Sequence, residues 1–274
     1  MIARHGIRAT KSLGQHFLLD RNLIQKIVRE AGALENSTVL EIGAGPGGLT
    51  RELLATSART VIAVERDRRC IAALNELAQV SSGRLVVVEA DALKIDEAKL
   101  ISGSAKVVAN LPYNIATELF FKWQERPRLL RGLTLMFQKE VAERFTASPR
   151  SKAYGRLSVM AQWRYEVRRA FDLPPEAFVP PPKVTSTVIQ FTLRAEPLAA
   201  ADPIALRQVV AAAFGQRRKM LRGSLRSLPC DTGALLDDAG IIGEARAEEL
   251  EISDFCALAR SFANLVGKPT KPLH

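Results

Sequence analysis

Five short apolar runs recur between residues 39 and 137, and they restrict the fold more than any other feature of the chain. They are Val39-Leu40-Glu41-Ile42, Val61-Ile62-Ala63-Val64, Leu85-Val86-Val87-Val88, Lys106-Val107-Val108-Ala109 and Leu133-Thr134-Leu135-Met136-Phe137. Between them lie stretches with helical periodicity: Pro46 to Ala55, with Leu49, Leu53 and Leu54 on one face, a run through Cys70, Leu74 and Leu77, and Ala116 to Gln124. An earlier helix carries Leu23, Ile24, Ile27 and Val28 behind Asp20, a residue suited to cap it. Runs of four or five apolar residues alternating with helices predict an α/β fold, a parallel sheet covered on both faces.

The alternation breaks near Tyr165. The proline-rich segments Leu173-Pro174-Pro175 and Phe178-Val179-Pro180-Pro181-Pro182 follow, and Thr185 to Leu193 alternates as a strand that can complete the sheet antiparallel. Glu196 to Pro203 reads as a linker and the chain from Ile204 onward as helical. The expected division is therefore an α/β domain over residues 1–197 and a smaller all-helical domain over 198–274, in keeping with the two-domain length of 274 residues.

Composition narrows the function. The net charge is +10, and residues 101–200 hold 15 basic against 8 acidic residues, whereas residues 51–100 hold 8 of each. An excess concentrated in one region favours a polyanionic partner, with nucleic acid first. The sequence contains no apolar run of membrane-spanning length, and Met1-Ile2-Ala3-Arg4-His5 lacks the apolar core of a secretory signal. Cys70, Cys230 and Cys256 are odd in number and widely spaced, which supports neither a disulfide framework nor a metal site. The expectation is a cytoplasmic monomer without metal and without a membrane contact.

The first strand runs into Glu41-Ile42-Gly43-Ala44-Gly45-Pro46-Gly47-Gly48. Such glycines let the backbone approach a ligand closely, and their spacing formally meets the dinucleotide fingerprint. Glu65 ends the second run 22 residues after Gly43, where a ribose hydroxyl ligand fits, and Asp91 follows the third. Asp91 can accept the amino hydrogens of an adenine or simply cap a loop. The fourth run ends in Asn110-Leu111-Pro112-Tyr113. Glycine loop, Glu65, Asp91 and Asn110 in this order are similar to the S-adenosylmethionine methyltransferases. A dehydrogenase would leave Asn110 to Tyr113 without a role.

Asn-Leu-Pro-Tyr resembles the motif of methyltransferases that act on the exocyclic nitrogen of adenine. The lone pair of that nitrogen is delocalised into the ring. Asn110 Oδ1 and the Leu111 carbonyl can each accept one of its N–H bonds and so favour a pyramidal nucleophile. Pro112 fixes the backbone, and Tyr113 can stack on the base for about 1–3 kcal/mol. Gln15-His16-Phe17-Leu18, the glycine loop, Asn110 to Tyr113 and Phe178-x-Pro180-x-Pro182-x-Val184-x-Ser186 occur in order. Together they resemble the small-subunit (16S) ribosomal RNA adenine N6,N6-dimethyltransferase family, from about Lys11 to about Leu225.

The resemblance implies a Rossmann-like methyltransferase domain, S-adenosylmethionine as cofactor, and dimethylation of two adjacent adenosines near the 3′ end of the small-subunit rRNA, with a role in late subunit biogenesis. It implies cofactor contacts from His16, Leu18, Gly43, Gly45, Glu65, Asp91 and Asn110, with His16 standing where the family often has asparagine. It further implies that Phe178 faces Tyr113 across the target base. Phe17 and Phe214 read as core. The run Arg217, Arg218, Lys219 and Arg222, with no acid inside it, would be an RNA-facing edge. Two other readings remain: the large-subunit rRNA methyltransferases of macrolide resistance, and a non-catalytic RNA-binding assembly factor on the same scaffold.

Overall fold

The computed structural model describes residues 7, 9–10 and 14–267; the basic arm residues Arg4, Arg8 and Lys11, with Leu13, His5 and His274, lie outside them. In chain order the first elements are β1 (Phe17–Leu18), α1 (Arg21–Glu30), β2 (Thr38–Ile42), α2 (Gly48–Leu54), β3 (Thr60–Glu65), α3 (Arg68–Gln79) and β4 (Leu85–Glu89). Then come β5 (Ala105–Ala109), α4 (Ala116–Gln124), β6 (Leu130–Gln138), α5 (Lys139–Thr146), α6 (Arg156–Arg164), β7 (Tyr165–Leu173), β8 (Phe178–Val179) and β9 (Ser186–Leu193). Helices α7 (Pro203–Gly215), α8 (Leu221–Ser224), α9 (Thr232–Ala239) and α10 (Ile252–Val266) complete the described chain.

Seven strands form one sheet in the order β4-β3-β2-β5-β6-β9-β7. The five strands expected from the apolar runs pair in parallel, and β9 closes antiparallel on β6, with Leu135 opposite Ile189. Every residue of β2 is buried, as a central parallel strand with helices over both faces requires. From β2 the chain moves outward through β3 to β4, then returns to lay β5 on the other side of β2. The reversal leaves a crevice outside the carboxyl ends of β2 and β5, the usual place for a ligand in an open α/β sheet. Ile24, Ile27 and Val28 of α1 and Leu49 and Leu53 of α2 pack in the core with Val39, Val61 and Val108 of the strands. Asp20 caps α1 as expected, accepting from the amides of Asn22 and Leu23.

Two features depart from expectation. Residues 165–173, which the sequence left without a clear class, form the edge strand β7, and the two-residue strands β1 and β8 pair antiparallel, Leu18 opposite Phe178. The chain also divides at places other than 197/198. One compact unit holds the described residues up to Ala142 with Arg168–Leu193, and the other holds Glu143–Val167 with the described residues from Arg194 on. The physical reason is α6, whose Val159, Met160 and Trp163 are buried and whose unit includes the C-terminal helices. In that second unit Phe214, half-buried, stacks on Phe255 at 5.5 Å and meets Tyr154 edge-on at 6.0 Å, so it packs at the margin of the core.

Candidate active site

A cavity of about 460 Å³ opens at the crevice, bounded by the glycine loop, the ends of β3 and β4, the Asn110 corner and residues 14–19. The loop follows from its glycines. Gly43 and Gly45 take φ of +70° and +54°, a region costly for other residues. A Cβ at Gly45 would lie 3.2 Å from the Phe17 ring, and one at Gly43 would lie 3.3 Å from Pro112 Cδ. The glycines thus let the arm before α1 and the Asn110 corner close on the loop from two sides.

Glu65 is held tightly. Its Oε2 accepts from the Gly45 amide at 2.8 Å, and its Oε1 accepts from the amides of Arg66 and Asp67 at 2.8 and 2.9 Å. A carboxylate has about four acceptor positions, so one stays available for a ribose hydroxyl. Asp91 caps its loop, one of the two uses weighed for it, and lines the cavity. Its Oδ1 accepts from the Leu93 amide at 3.1 Å, while Oδ2 lies 3.7 Å from Arg66. Asn110 donates from Nδ2 to the His16 carbonyl at 3.2 Å, and its Oδ1 has no partner among the described residues. An oriented amide with an open acceptor is what an incoming amine needs.

Glu41 is a functional candidate that the sequence reading passed over. It is 1% exposed and lines the cavity, and its Oε2 has no hydrogen-bond partner among the described residues. Burial, reinforced by nearby Glu65, pushes its carboxyl from an ordinary 4.5 up to about 8, against the lowering effect of hydrogen bonds from Thr50. The signal was present in the sequence: one acid in the middle of an apolar strand. Held Glu65, cavity-lining Asp91 and unpartnered Glu41 Oε2 together suit a nucleoside bearing an ammonium group, so the residues present fit S-adenosylmethionine.

Around Tyr113 the geometry differs from the expected base sandwich. The Tyr113 hydroxyl is 2.5 Å from Ser186 Oγ, and its ring lies 5.8 Å from the His16 ring with 26° between the planes. His16 Nδ1 is 2.8 Å from the Pro180 carbonyl, so β1 and the proline segment after β8 fix the imidazole. Ser186 closed the recognised motif without a role, and it proves to be the side chain that orients Tyr113. Phe178 is 1% exposed, packs in the core cluster with Leu18 and does not line the cavity. The ring that faces Tyr113 is His16. Leu18 and Leu111 both line the cavity, and both are largely buried, at 9% and 2% exposure.

A model of the family described as "Ribosomal RNA adenine dimethylase" matches residues 6–264. The chain belongs to this family. Among curated relatives, "Ribosomal RNA small subunit methyltransferase A" of Xanthobacter autotrophicus is 57% identical over 97% of this chain and 93% of its own length. The protein of the same name from Paracoccus denitrificans is 55% identical, over 96% and 94%. Among solved structures, a dimethyladenosine transferase from Plasmodium falciparum superposes with a TM-score of 0.77 at 25% identity, covering 91% of this chain and 98% of that one. The 23S rRNA methyltransferase ErmE follows with 0.67 at 29% identity, over 90% and 99%.

In this family member the basic run of the second unit is less uniform than its sequence. Arg217 pairs with Glu248 at 3.1 Å and donates to the Lys152 carbonyl at 2.6 Å, and Arg222 pairs with Glu244 at 2.7 Å. The compensating acids, absent from the run itself, come from the segment before α10. Arg218 and Lys219 are exposed and have no ion pair among the described residues. No described helix is long and apolar enough to cross a membrane, and no described group of His, Cys, Asp and Glu could hold a metal ion.

Proposed function

We propose that this protein transfers methyl groups from S-adenosylmethionine to N6 of two adjacent adenosines near the 3′ end of small-subunit (16S) rRNA, acting as a cytoplasmic monomer. The observation that carries the proposal is Asn110, its amide anchored on the His16 carbonyl and its Oδ1 open at the edge of the cavity. The relatives at 53–57% identity carry the small-subunit name, which favours that RNA as substrate.

The bound cofactor supplies a methyl group already activated on a sulfonium sulfur, so no general base has to precede transfer. Asn110 Oδ1 and the Leu111 carbonyl would accept hydrogen bonds from the N–H groups of the target amine, two before the first transfer and one before the second, and so turn its lone pair out of the ring plane; each transfer would free one proton to water and leave the donor as S-adenosylhomocysteine. Pro112 fixes the direction of the carbonyl, and Tyr113, its hydroxyl held by Ser186, offers its ring to the base. Glu65 would hold the ribose of the cofactor and Asp91 its adenine. Positioning and electrostatic alignment carry the rate.

Incubation with a labelled methyl donor and undermethylated small subunits, followed by mapping, is expected to place label on two neighbouring adenosines. Label confined to large-subunit RNA would select the ErmE-like reading, and label on neither would remove the enzymatic one. RNA approach is assigned first to Arg218 and Lys219. Replacing both with glutamate should weaken rRNA binding and flatten the log–log salt dependence by about one unit per lost phosphate contact. The Arg217→Glu, Arg222→Glu pair should do less, because those guanidiniums already share carboxylates; equal slopes for the two double variants would reject the assignment.

A further inference from the structure

Residues 14–18 border the cofactor cavity, and a polar cluster outside the reaction centre ties them down. Gln15 donates from Nε2 to Asp67 Oδ2 at 3.0 Å, and its Oε1 accepts from the Thr10 amide at 2.9 Å. Arg69 grips the same carboxylate, Nε to Oδ1 at 3.0 Å and Nη2 to Oδ2 at 2.6 Å, and reaches Thr10 Oγ1 at 2.6 Å. Asp67 is 7% exposed, and its own amide donates to Glu65, the ribose-facing carboxylate. Four side chains thus join the arm to the cavity floor.

We propose that Gln15, Asp67 and Arg69 form a clasp that positions residues 14–18 across the cavity and sets the lifetime of the bound nucleoside cofactor. The inference rests on the cofactor reading above. Asp67 does cap α3, accepting from the Arg69 amide, but a cap needs neither Gln15 nor Thr10. Among the described residues of this arm, Ile7 and Phe17 pack on Cys70 and Ala73 in a cluster of their own, with Ala9 beside it, and Leu18 at its end joins the main core beside Phe178. Residues 14–16, ahead of these buried side chains, are only partly buried, and such a stretch opens more readily than the core, so its polar ties bear on how often it opens. Opening also has a catalytic side, because the Asn110 amide is anchored on the His16 carbonyl, one residue beyond Gln15. The Arg69 hydrogen bonds, with that from Gln15, hold the Asp67 carboxyl below its ordinary range, so the clasp stays charged at neutral pH.

The test follows dissociation of S-adenosylhomocysteine, the product form of the cofactor, and hydrogen exchange of the amides of residues 14–18. Gln15→Ala should release the ligand about tenfold faster, the scale expected from losing one hydrogen bond to a charged group. Gln15→Glu sets two carboxylates against each other and should be worse. Gln15→Glu combined with Asp67→Asn restores a donor facing an acceptor at that bond but opposes Arg69 Nη2 with a second donor, so it should release the ligand more slowly than Gln15→Glu alone without reaching the wild-type rate. Single-turnover transfer at saturating cofactor should fall less than affinity does, and exchange at residues 14–18 should rise without ligand, with the rest of the first unit unchanged. Wild-type dissociation rates in both single variants, or a general loss of melting temperature with no selective change at residues 14–18, would overturn the clasp. A wild-type protein that binds no S-adenosylhomocysteine would instead refute the cofactor reading, and the exchange data would still decide the clasp.

Discussion

Asn110→Ala is expected to lower methyl transfer by about 10²–10³-fold, the range seen when one aligned hydrogen-bonding group is removed from a reaction centre. Two losses combine. The target amine loses the acceptor that holds its N–H bonds out of conjugation, and the His16 carbonyl loses the donor that ties the arm to the corner. Cofactor affinity should fall by much less, since Glu65 keeps its three backbone amides and Asp91 its turn. Asn110→Asp separates the two losses: it keeps an acceptor for the amine but turns a carboxylate toward the His16 carbonyl. Its transfer rate should be intermediate and its cofactor affinity lower than that of Asn110→Ala. Single-turnover rates at saturating cofactor, with S-adenosylhomocysteine affinity measured by calorimetry, give both numbers. Near-normal turnover in Asn110→Ala would remove the proposed mechanism.

The parts of this site legible in the sequence are those written into main-chain geometry and strand order. Gly43, Glu65, Asp91 and Asn110 end consecutive parallel strands, so an alternating pattern places them on one edge before any contact is known. The contacts that join distant segments were not legible. Nothing local links Gln15 to Asp67, 52 residues away, or Tyr113 to Ser186, 73 residues away. The strands β1 and β8 have two residues each, too few for any periodicity, yet their pairing draws Phe178 into the core and leaves His16 facing Tyr113. The basic run misled in the opposite direction. Charge read along the chain showed no acid, while Glu244 and Glu248 reach back from the next segment to Arg222 and Arg217. The chain divides at places other than 197/198 for a related reason: α6 is contiguous in sequence with the sheet strands but is buried as part of the other unit.

Glu41→Gln is expected to stabilise the protein in alkali and to leave it nearly unchanged in acid. The folded protein holds the Glu41 proton up to about pH 8, whereas the unfolded chain releases it near 4.5. Below pH 4.5 both states are protonated and the residue costs nothing. Between 4.5 and 8 the unfolded state is favoured progressively as it ionises, so wild-type stability falls as pH rises, and above 8 the deficit is constant. Glutamine has the shape of the protonated acid and no titration. The difference between variant and wild type should therefore grow through this window to about 5 kcal/mol at pH 9. Other titrating groups are common to both proteins and cancel in the difference. Denaturant unfolding at pH 5, 7 and 9 measures it, and parallel curves would show that Glu41 ionises in the folded protein as it does in the unfolded one. A neutral Glu41 at pH 7 also has a consequence for the cavity. An acid that is 1% exposed and lines the cavity remains one proton away from countering a cationic ligand.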